Sequence, residues 1–300
     1  MFDTPILYLV FNRPEETALS FEKLREIRPS KLFIASDGPR KNNQIDIQNC
    51  KSVKSIIQAR LDWSCEVHYL IREENIGCGK AVSQAIDWFF QHVENGIILE
   101  DDCLPAKTFF PYCAELLLKY RDTEQVTHIS GHNNQMGYKR GNYDYYFSRV
   151  VNIWGWATWR RAWENYNFNF ENIDLLKKHP ERTNFPISNL DDFVSGAIDT
   201  WDTQWLFTNF INNRYAISPN INLVQNIGFN STATHTNFNP PGYFLKNQSG
   251  ELSFPINHPK KIQFNELADE HAAAYVFKVR KASLILKILN RINRLIRLFK

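Results

Sequence analysis

Apolar and polar positions follow a strand–helix rhythm over the first hundred residues. Pro5 to Phe11 is an apolar run that ends in Asn12-Arg13-Pro14 and reads as a strand. Proline just inside a helix start, with Glu15 and Glu16 in the first turn, predicts a helix through Ile27. Leu32-Phe33-Ile34-Ala35 is a second strand, closed by the turn Ser36-Asp37-Gly38-Pro39. A helix over Ile45–Ala59, a strand around Cys65–Ile71, the loop Asn75-Ile76-Gly77-Cys78-Gly79-Lys80 and a helix from Lys80 to His92 follow. Ile97, Ile98 and Leu99 then form a short apolar run of the kind found in buried parallel strands. Strands alternating with helices of about 10–15 residues predict parallel βαβ units, and so an α/β fold with a mostly parallel central sheet flanked by helices.

Each of these strands ends in polar residues: Asn12-Arg13, Asp37-Gly38, Arg72 to Asn75, and Glu100 to Asp102. Polar ends on successive parallel strands predict a ligand-binding rim, because open α/β sheets bind at the carboxyl ends of their strands. The second half is less regular. It offers a helix over Phe109–Tyr120, a strand and turn at His128–His132, the aromatic stretch Asn152–Trp163, a helix from Asp199 to Asn212, and a strand at Ile221–Phe229. From Asn237 to about Asn265 the chain is rich in Pro, Asn and Gly and reads as irregular.

The three carboxylates of Glu100-Asp101-Asp102 repel one another and are costly to desolvate. A solvated acidic turn is one reading. The other is a divalent cation, since Mg²⁺ and Mn²⁺ prefer hard oxygen ligands and reach proteins through one or two carboxylates plus substrate phosphates. The buried-looking strand just before the cluster weighs toward the second.

Composition changes this picture in three places. Aromatic residues make up 14% of the chain, an excess that suits stacking on sugar or base rings as well as core packing. The net charge of +3 hides an acid-free basic run at residues 278–300, so the remaining body is mildly acidic and argues against a nucleic-acid groove. In that run Leu284, Ile285, Ile288, Leu289, Ile292, Leu295, Ile296 and Phe299 recur at helical spacing among lysines and arginines. It reads as a basic amphipathic helix, either docked on the domain or lying on an anionic membrane surface. The 5 cysteines lack CxxC and zinc spacings and read as reduced thiols of a cytoplasmic protein.

Several stretches together carry a resemblance: Val10-Phe11-Asn12-Arg13-Pro14, Ser36-Asp37-Gly38, Asn75-Ile76-Gly77, Ile98-Leu99-Glu100-Asp101-Asp102, Trp154-Gly155-Trp156 and Trp201-Asp202. In this order, over residues 5–235, they resemble glycosyltransferases of the GT-A fold, in particular the family of the N-acetylglucosaminyltransferase I enzymes and their bacterial relatives. The resemblance implies a Rossmann-like GT-A domain over residues 1–236, with a nucleotide-binding half (1–103) and an acceptor half (104–236). An irregular extension (237–277) and the basic helix (278–300) would follow.

The resemblance also implies roles. Asp102 would bind Mn²⁺ or Mg²⁺ between the two phosphates of a nucleotide sugar, with Asp101 near the ribose and Glu100 acting through water. Asn12, Arg13, Asp37, Gly38 and Asn75 would contact the nucleotide, a UDP-type one, Asp37 facing a uracil N–H. Lys80 would reach the donor, or serve only its own helix start. Asp202 would be the catalytic base of an inverting transfer, with Asp199 as competitor, because Thr203 stands where the family usually carries another acid. Trp154, Gly155, Trp156 and Trp201, with Trp159 beside them, would wall the sugar, and His235 would close over the diphosphate or ligate the metal. The expected activity is metal-dependent transfer of a hexosyl group to a glycan or lipid-linked acceptor in surface-polysaccharide synthesis, peripheral to the inner face of the cell membrane. A sugar nucleotidyltransferase and a non-catalytic glycan-binding protein are the alternatives.

Overall fold

The computed structural model describes residues 2–178, 199–229 and 249–275. The expectations for His235 and for a basic helix at residues 278–300 lie outside the described residues. Four parallel strands form the first half of the sheet: β1 (Ile6–Val10), β2 (Lys31–Ser36), β3 (Glu66–Ile71) and β4 (Asn95–Glu100). They are joined by α1 (Pro14–Ile27), α2 (Gln44–Arg60) and α3 (Cys78–His92). All seven elements were expected, with ends shifted by a residue or two. Pro14 starts α1 as predicted, since its missing N–H is one that a first helical turn leaves unbonded. Asn43 caps α2 by accepting from the Asp46 N–H at 3.1 Å.

After β4 come β5 (Cys103–Pro105), α4 (Phe109–Lys119), β6 (Val126–Ser130), β7 (Tyr145–Ser148) and β8 (Trp156–Trp159). The short α5 (Arg160–Trp163) and α6 (Asp174–Lys178) precede α7 (Asp202–Ile211), β9 (Tyr215–Pro219), β10 (Val224–Asn226) and α8 (Glu266–Tyr275). The main sheet has the order β3-β2-β1-β4-β8-β6-β9-β7. β8 enters antiparallel to β4, with Ile98 opposite Trp156, so the two halves of the chain share one mixed sheet. β5 and β10 pair separately, with Asn226 opposite Cys103 directly behind the acidic cluster.

The two faces of β1 show how the apolar run was built. Ile6, Tyr8 and Val10 pack with Phe21, Leu24 and α4 on one side of the sheet. Leu7 and Leu9 pack with Phe89, Phe90 and the tryptophans of the second half on the other. Burying each such aliphatic side chain contributes roughly 1.5–3 kcal/mol, so a strand buried on both faces is anchored firmly enough to present its end as a fixed edge.

Three expectations for the second half need correction. The aromatic stretch at 154–163 is not a ligand wall throughout: Trp156 and Trp159 lie in β8, both buried. The strand expected at Ile221–Phe229 is only Val224–Asn226, and the fully buried Tyr215–Pro219 supplies the main-sheet strand instead. The extension is not irregular to its end, because Glu266–Tyr275 is helical. It is tied to β7 through the buried Asp269, which accepts from Ser148 Oγ at 2.6 Å. No described helix is long and apolar enough to cross a membrane.

Candidate active site

The carboxyl ends of β1, β2, β3 and β4 open on a cavity of about 640 Å³, a volume typical of small-molecule sites. Its floor is the turn after β4. There Asp101 and Asp102 are buried, while Glu100 is half-buried at the wall. The turn is held from β1 and α1: the Phe11 N–H donates to Asp101 Oδ2 at 3.0 Å, and Ser20 Oγ donates to the Asp101 carbonyl at 2.7 Å. From behind, the Ile227 N–H donates to the Asp102 carbonyl at 2.8 Å, which seats β10 against the same turn.

Arg13 is the cation of this cluster. Its Nη1 lies 2.6 Å from Asp102 Oδ2 and 3.4 Å from Asp101 Oδ1. Burial works to lower the guanidinium, but the charges of Asp101, Asp102 and Glu100 together outweigh it and hold Arg13 protonated. One guanidinium does not balance three carboxylates. Burial, with the charges of Asp102 and Asp101 adding to it, pushes Glu100 well above the usual carboxylate range. Burial likewise raises Asp101, partly offset by Arg13, to about 7.

The crowding of three carboxyls about one guanidinium is the observation against which a cation can be tested. Among the described residues no group of three His, Cys, Asp or Glu side chains is arranged to hold a metal. The described residues alone therefore do not cage a cation. A Mg²⁺ or Mn²⁺ held largely by a ligand's phosphates, with Asp102 as its carboxylate and Glu100 and Asp101 beside it, does fit, since such ions commonly keep one or two protein carboxylates.

Asp37 and Asn75, expected on the nucleotide, are brought together at the cavity and bind each other. Asn75 Nδ2 donates to Asp37 Oδ2 at 2.8 Å and to the Gly38 carbonyl at 3.0 Å, and the Gly38 N–H donates to Asp37 Oδ1 at 2.9 Å. This clasp locks the loop after β3 onto the end of β2. Burial raises the Asp37 carboxyl from its ordinary value, while the N–H groups of Ile76 and Gly38 restrain the rise.

On the other side stand Thr200, Trp201 and Asp202, at the start of α7. Trp201 is stacked on Trp156 at 5.6 Å and 19°, and Trp156 in turn on His128 at 4.9 Å and 18°. His128 is a neutral core histidine. Its Nε2 donates to the Asn152 carbonyl at 3.0 Å, Trp205 Nε1 donates to its Nδ1 at 3.1 Å, and burial depresses its pKa to about 3. The column therefore fixes Trp201 from the core outward. Asp202 has its Oδ1 bonded by the Thr203 N–H at 2.7 Å, by Thr203 Oγ1 at 3.3 Å and by Thr200 Oγ1. No described residue donates to Oδ2, so one oxygen is locked while the other is free to accept a proton at the cavity.

Several expected site residues stand elsewhere. Asn12 is off the cavity, its amide donating to Asp46 Oδ1 at 2.7 Å to hold the start of α2. Gly38 packs against the Glu73–Glu74 backbone, and Lys80 is exposed on α3 outside the lining. Gly155 is outside the cavity lining: it has a φ of 62° and lies under the Val224 side chain, where a Cβ would stand 2.8 Å away. Trp156 is fully buried, and Trp159 donates from Nε1 to the Leu117 carbonyl at 3.1 Å, both as core. Trp154 does line the cavity, edge-on to His132 at 4.4 Å.

Two lining cations were not singled out from the sequence. Arg72, the first residue after β3, is half-buried, and burial lowers its pKa. Arg40 is engaged by Asp46 and stands 5.8 Å from the Phe11 ring. Arg72 had a signal, since it opens one of the polar strand ends. Arg40 sits four residues past its strand and had none.

No protein-family model matches the chain, and no curated protein does. The likeness to N-acetylglucosaminyltransferase I-like enzymes therefore rests on the motifs alone. Solved structures similar to this chain include a UDP-glucose pyrophosphorylase complexed with UDP-glucose, at 12% identity over 73% of this chain and 90% of that one, with a TM-score of 0.36. Mouse xyloside xylosyltransferase 1 matches at 13% identity over 69% of this chain and 81% of its own, with a TM-score of 0.35. S. aureus TarS 1–349 matches at 10% identity over 73% of this chain and 58% of its own, with a TM-score of 0.38. At these values the likeness is one of fold alone.

Proposed function

We propose that this chain is a metal-dependent, inverting glycosyltransferase that moves a hexosyl group from a nucleotide sugar, of UDP type, to a glycan or lipid-linked acceptor in surface-polysaccharide synthesis. One observation carries the reading. A single cavity at the strand ends joins an acidic cluster with more carboxyls than cations, Glu100-Asp101-Asp102 with Arg13, to a carboxylate with one oxygen locked and one free, Asp202.

In this reading residues 1–103 hold the nucleotide and 104–236 present the acceptor. Asp102, with Glu100 and Asp101 beside it, would hold Mn²⁺ or Mg²⁺, and the ion would supply positive charge for the negative charge that develops on the leaving group. Arg13, already in the cluster, supplies positive charge on the same side. Asp202 takes the proton of the acceptor hydroxyl at Oδ2 as that oxygen attacks the anomeric carbon from the face opposite the departing diphosphate. The Trp154 and Trp201 rings give the sugar an apolar wall.

Titration calorimetry with UDP, with and without Mn²⁺, tests this directly. Binding that strengthens at least tenfold with Mn²⁺ is expected. Tight binding of free glycans with no affinity for UDP would replace the transferase by a glycan-binding protein. An anionic membrane surface, on the inner face of the cell membrane, is proposed as a partner from the basic sequence of residues 278–300 alone. Their deletion should release the protein from phosphatidylserine vesicles in sedimentation, and unchanged binding would remove that partner.

A further inference from the structure

Asp199 spends both of its oxygens on another element. Its Oδ2 accepts from the Cys78 N–H at 2.8 Å and its Oδ1 from the Gly79 N–H at 2.9 Å, which satisfies the first turn of α3 from a residue 120 positions away in sequence. The loop before α3 is shaped to admit it. Gly77 has a φ of 87°, and a Cβ there would lie 2.6 Å from Asp199 Oδ2; at Gly79 it would lie 2.7 Å from Oδ1 and 2.8 Å from the Thr200 carbonyl. The glycines thus receive a side chain of this protein.

The next three residues continue from that anchor. Thr200 Oγ1 donates to Asp202 Oδ1, Trp201 stacks on Trp156, and the Trp201 carbonyl accepts from Tyr166 Oη at 3.1 Å. Asp202 therefore reaches the cavity on a segment pinned at one end to the N-terminus of α3 and at the other to the tryptophan column. We infer that Asp199 is a positioning residue: it sets the Thr200–Asp202 segment so that the free oxygen of Asp202 meets the acceptor, and it takes no proton itself. This inference rests on the transferase reading above.

The role asks for an acceptor oxygen and not for a charge, which separates it from a base. Asp199→Ala should lower kcat by about 100-fold, the scale on which a displacement of about 1 Å acts, while UDP affinity stays within about twofold. Asp199→Asn keeps one carbonyl oxygen, enough for one of the Cys78 and Gly79 N–H groups, and should recover part of the lost turnover, with the pH profile of kcat unchanged in shape. Amide hydrogen exchange gives a readout independent of activity: protection at Cys78 and Gly79 should be lost at both in Asp199→Ala and retained at one of the two in Asp199→Asn. Wild-type turnover in Asp199→Ala would overturn the inference, as would unaltered exchange at Cys78 and Gly79. An Asp199→Asn variant as inactive as Asp199→Ala, yet still protected at Cys78 or Gly79, would overturn it in favour of Asp199 as the base. If the wild-type protein transfers no sugar from any nucleotide donor, it is the functional reading that fails, and the exchange data still decide whether Asp199 holds the segment.

Discussion

Asp202→Asn should bind UDP and Mn²⁺ as the wild-type protein does and lose transfer by about 10²–10⁴-fold, the range that a positioned general base contributes. The substitution is close to a pure test of proton acceptance. An amide keeps the carbonyl oxygen that accepts from the Thr203 N–H and hydroxyl and from Thr200, so the start of α7 has no reason to move. What changes is the atom with no described donor, which becomes an NH₂ and can no longer take a proton. The loss should therefore fall on kcat with KM for the donor nearly constant, since the interaction removed is made only as the acceptor hydroxyl reacts. Asp202→Ala should show the same loss of kcat and, in addition, a stability decrease of about 1 kcal/mol in thermal unfolding, because the first turn of α7 loses its carboxylate contacts. Near-normal turnover in Asp202→Asn would take this residue out of the mechanism. If Asp199→Asn proved inactive alongside it, the base would be assigned to Asp199.

The parts of this molecule that were legible in the sequence are those whose local pattern and tertiary environment agree. Ile6–Val10 and Asn95–Glu100 carry apolar runs because both faces of those strands are covered, and the polar residues at their ends line the cavity. Asp37, Asn75 and Asp102 could be named from this rule. The second half was less readable because its strands are set by distant partners. Tyr145–Ser148 and Tyr215–Pro219 pair with each other across seventy residues, and no turn signal joins them. The tryptophans were misread for a related reason. An indole that packs in a core and an indole that walls a ligand look the same in sequence, and only the depth of β8 in the sheet separates Trp156, which is fully buried, from Trp154, which lines the cavity. Gly155 carried the same ambiguity, since close approach by Val224 demands the absence of a Cβ as strongly as close approach by a ligand would. The Asp199 cap could not be foreseen at all: its donors precede it by 120 residues and leave only two glycines as a trace.

Asp102→Ala should abolish the strengthening of UDP binding by Mn²⁺, a loss of at least about 10-fold in affinity measured with the ion present. Outer-shell partners of bound metals commonly cost about 10–100-fold when removed, and a direct ligand should cost no less. The fold should survive this change. Arg13 loses its 2.6 Å partner but keeps Asp101 at 3.4 Å, and the cluster sheds one of three like charges that were raising Glu100 and Asp101. The ion pair lost and the repulsion relieved act in opposite directions, so the midpoint of thermal unfolding should move by only a few degrees, on the order of 1 kcal/mol in a protein of this size. UDP alone, without Mn²⁺, is the internal control. Removing Asp102 also takes a negative charge away from the place where phosphate must come, so the metal-free affinity should hold or rise slightly. A variant that keeps its full response to Mn²⁺ would show that the ion, if it binds, is held elsewhere, and the acidic turn after β4 would then be explained by its contacts with Arg13, Phe11 and Ser20 alone.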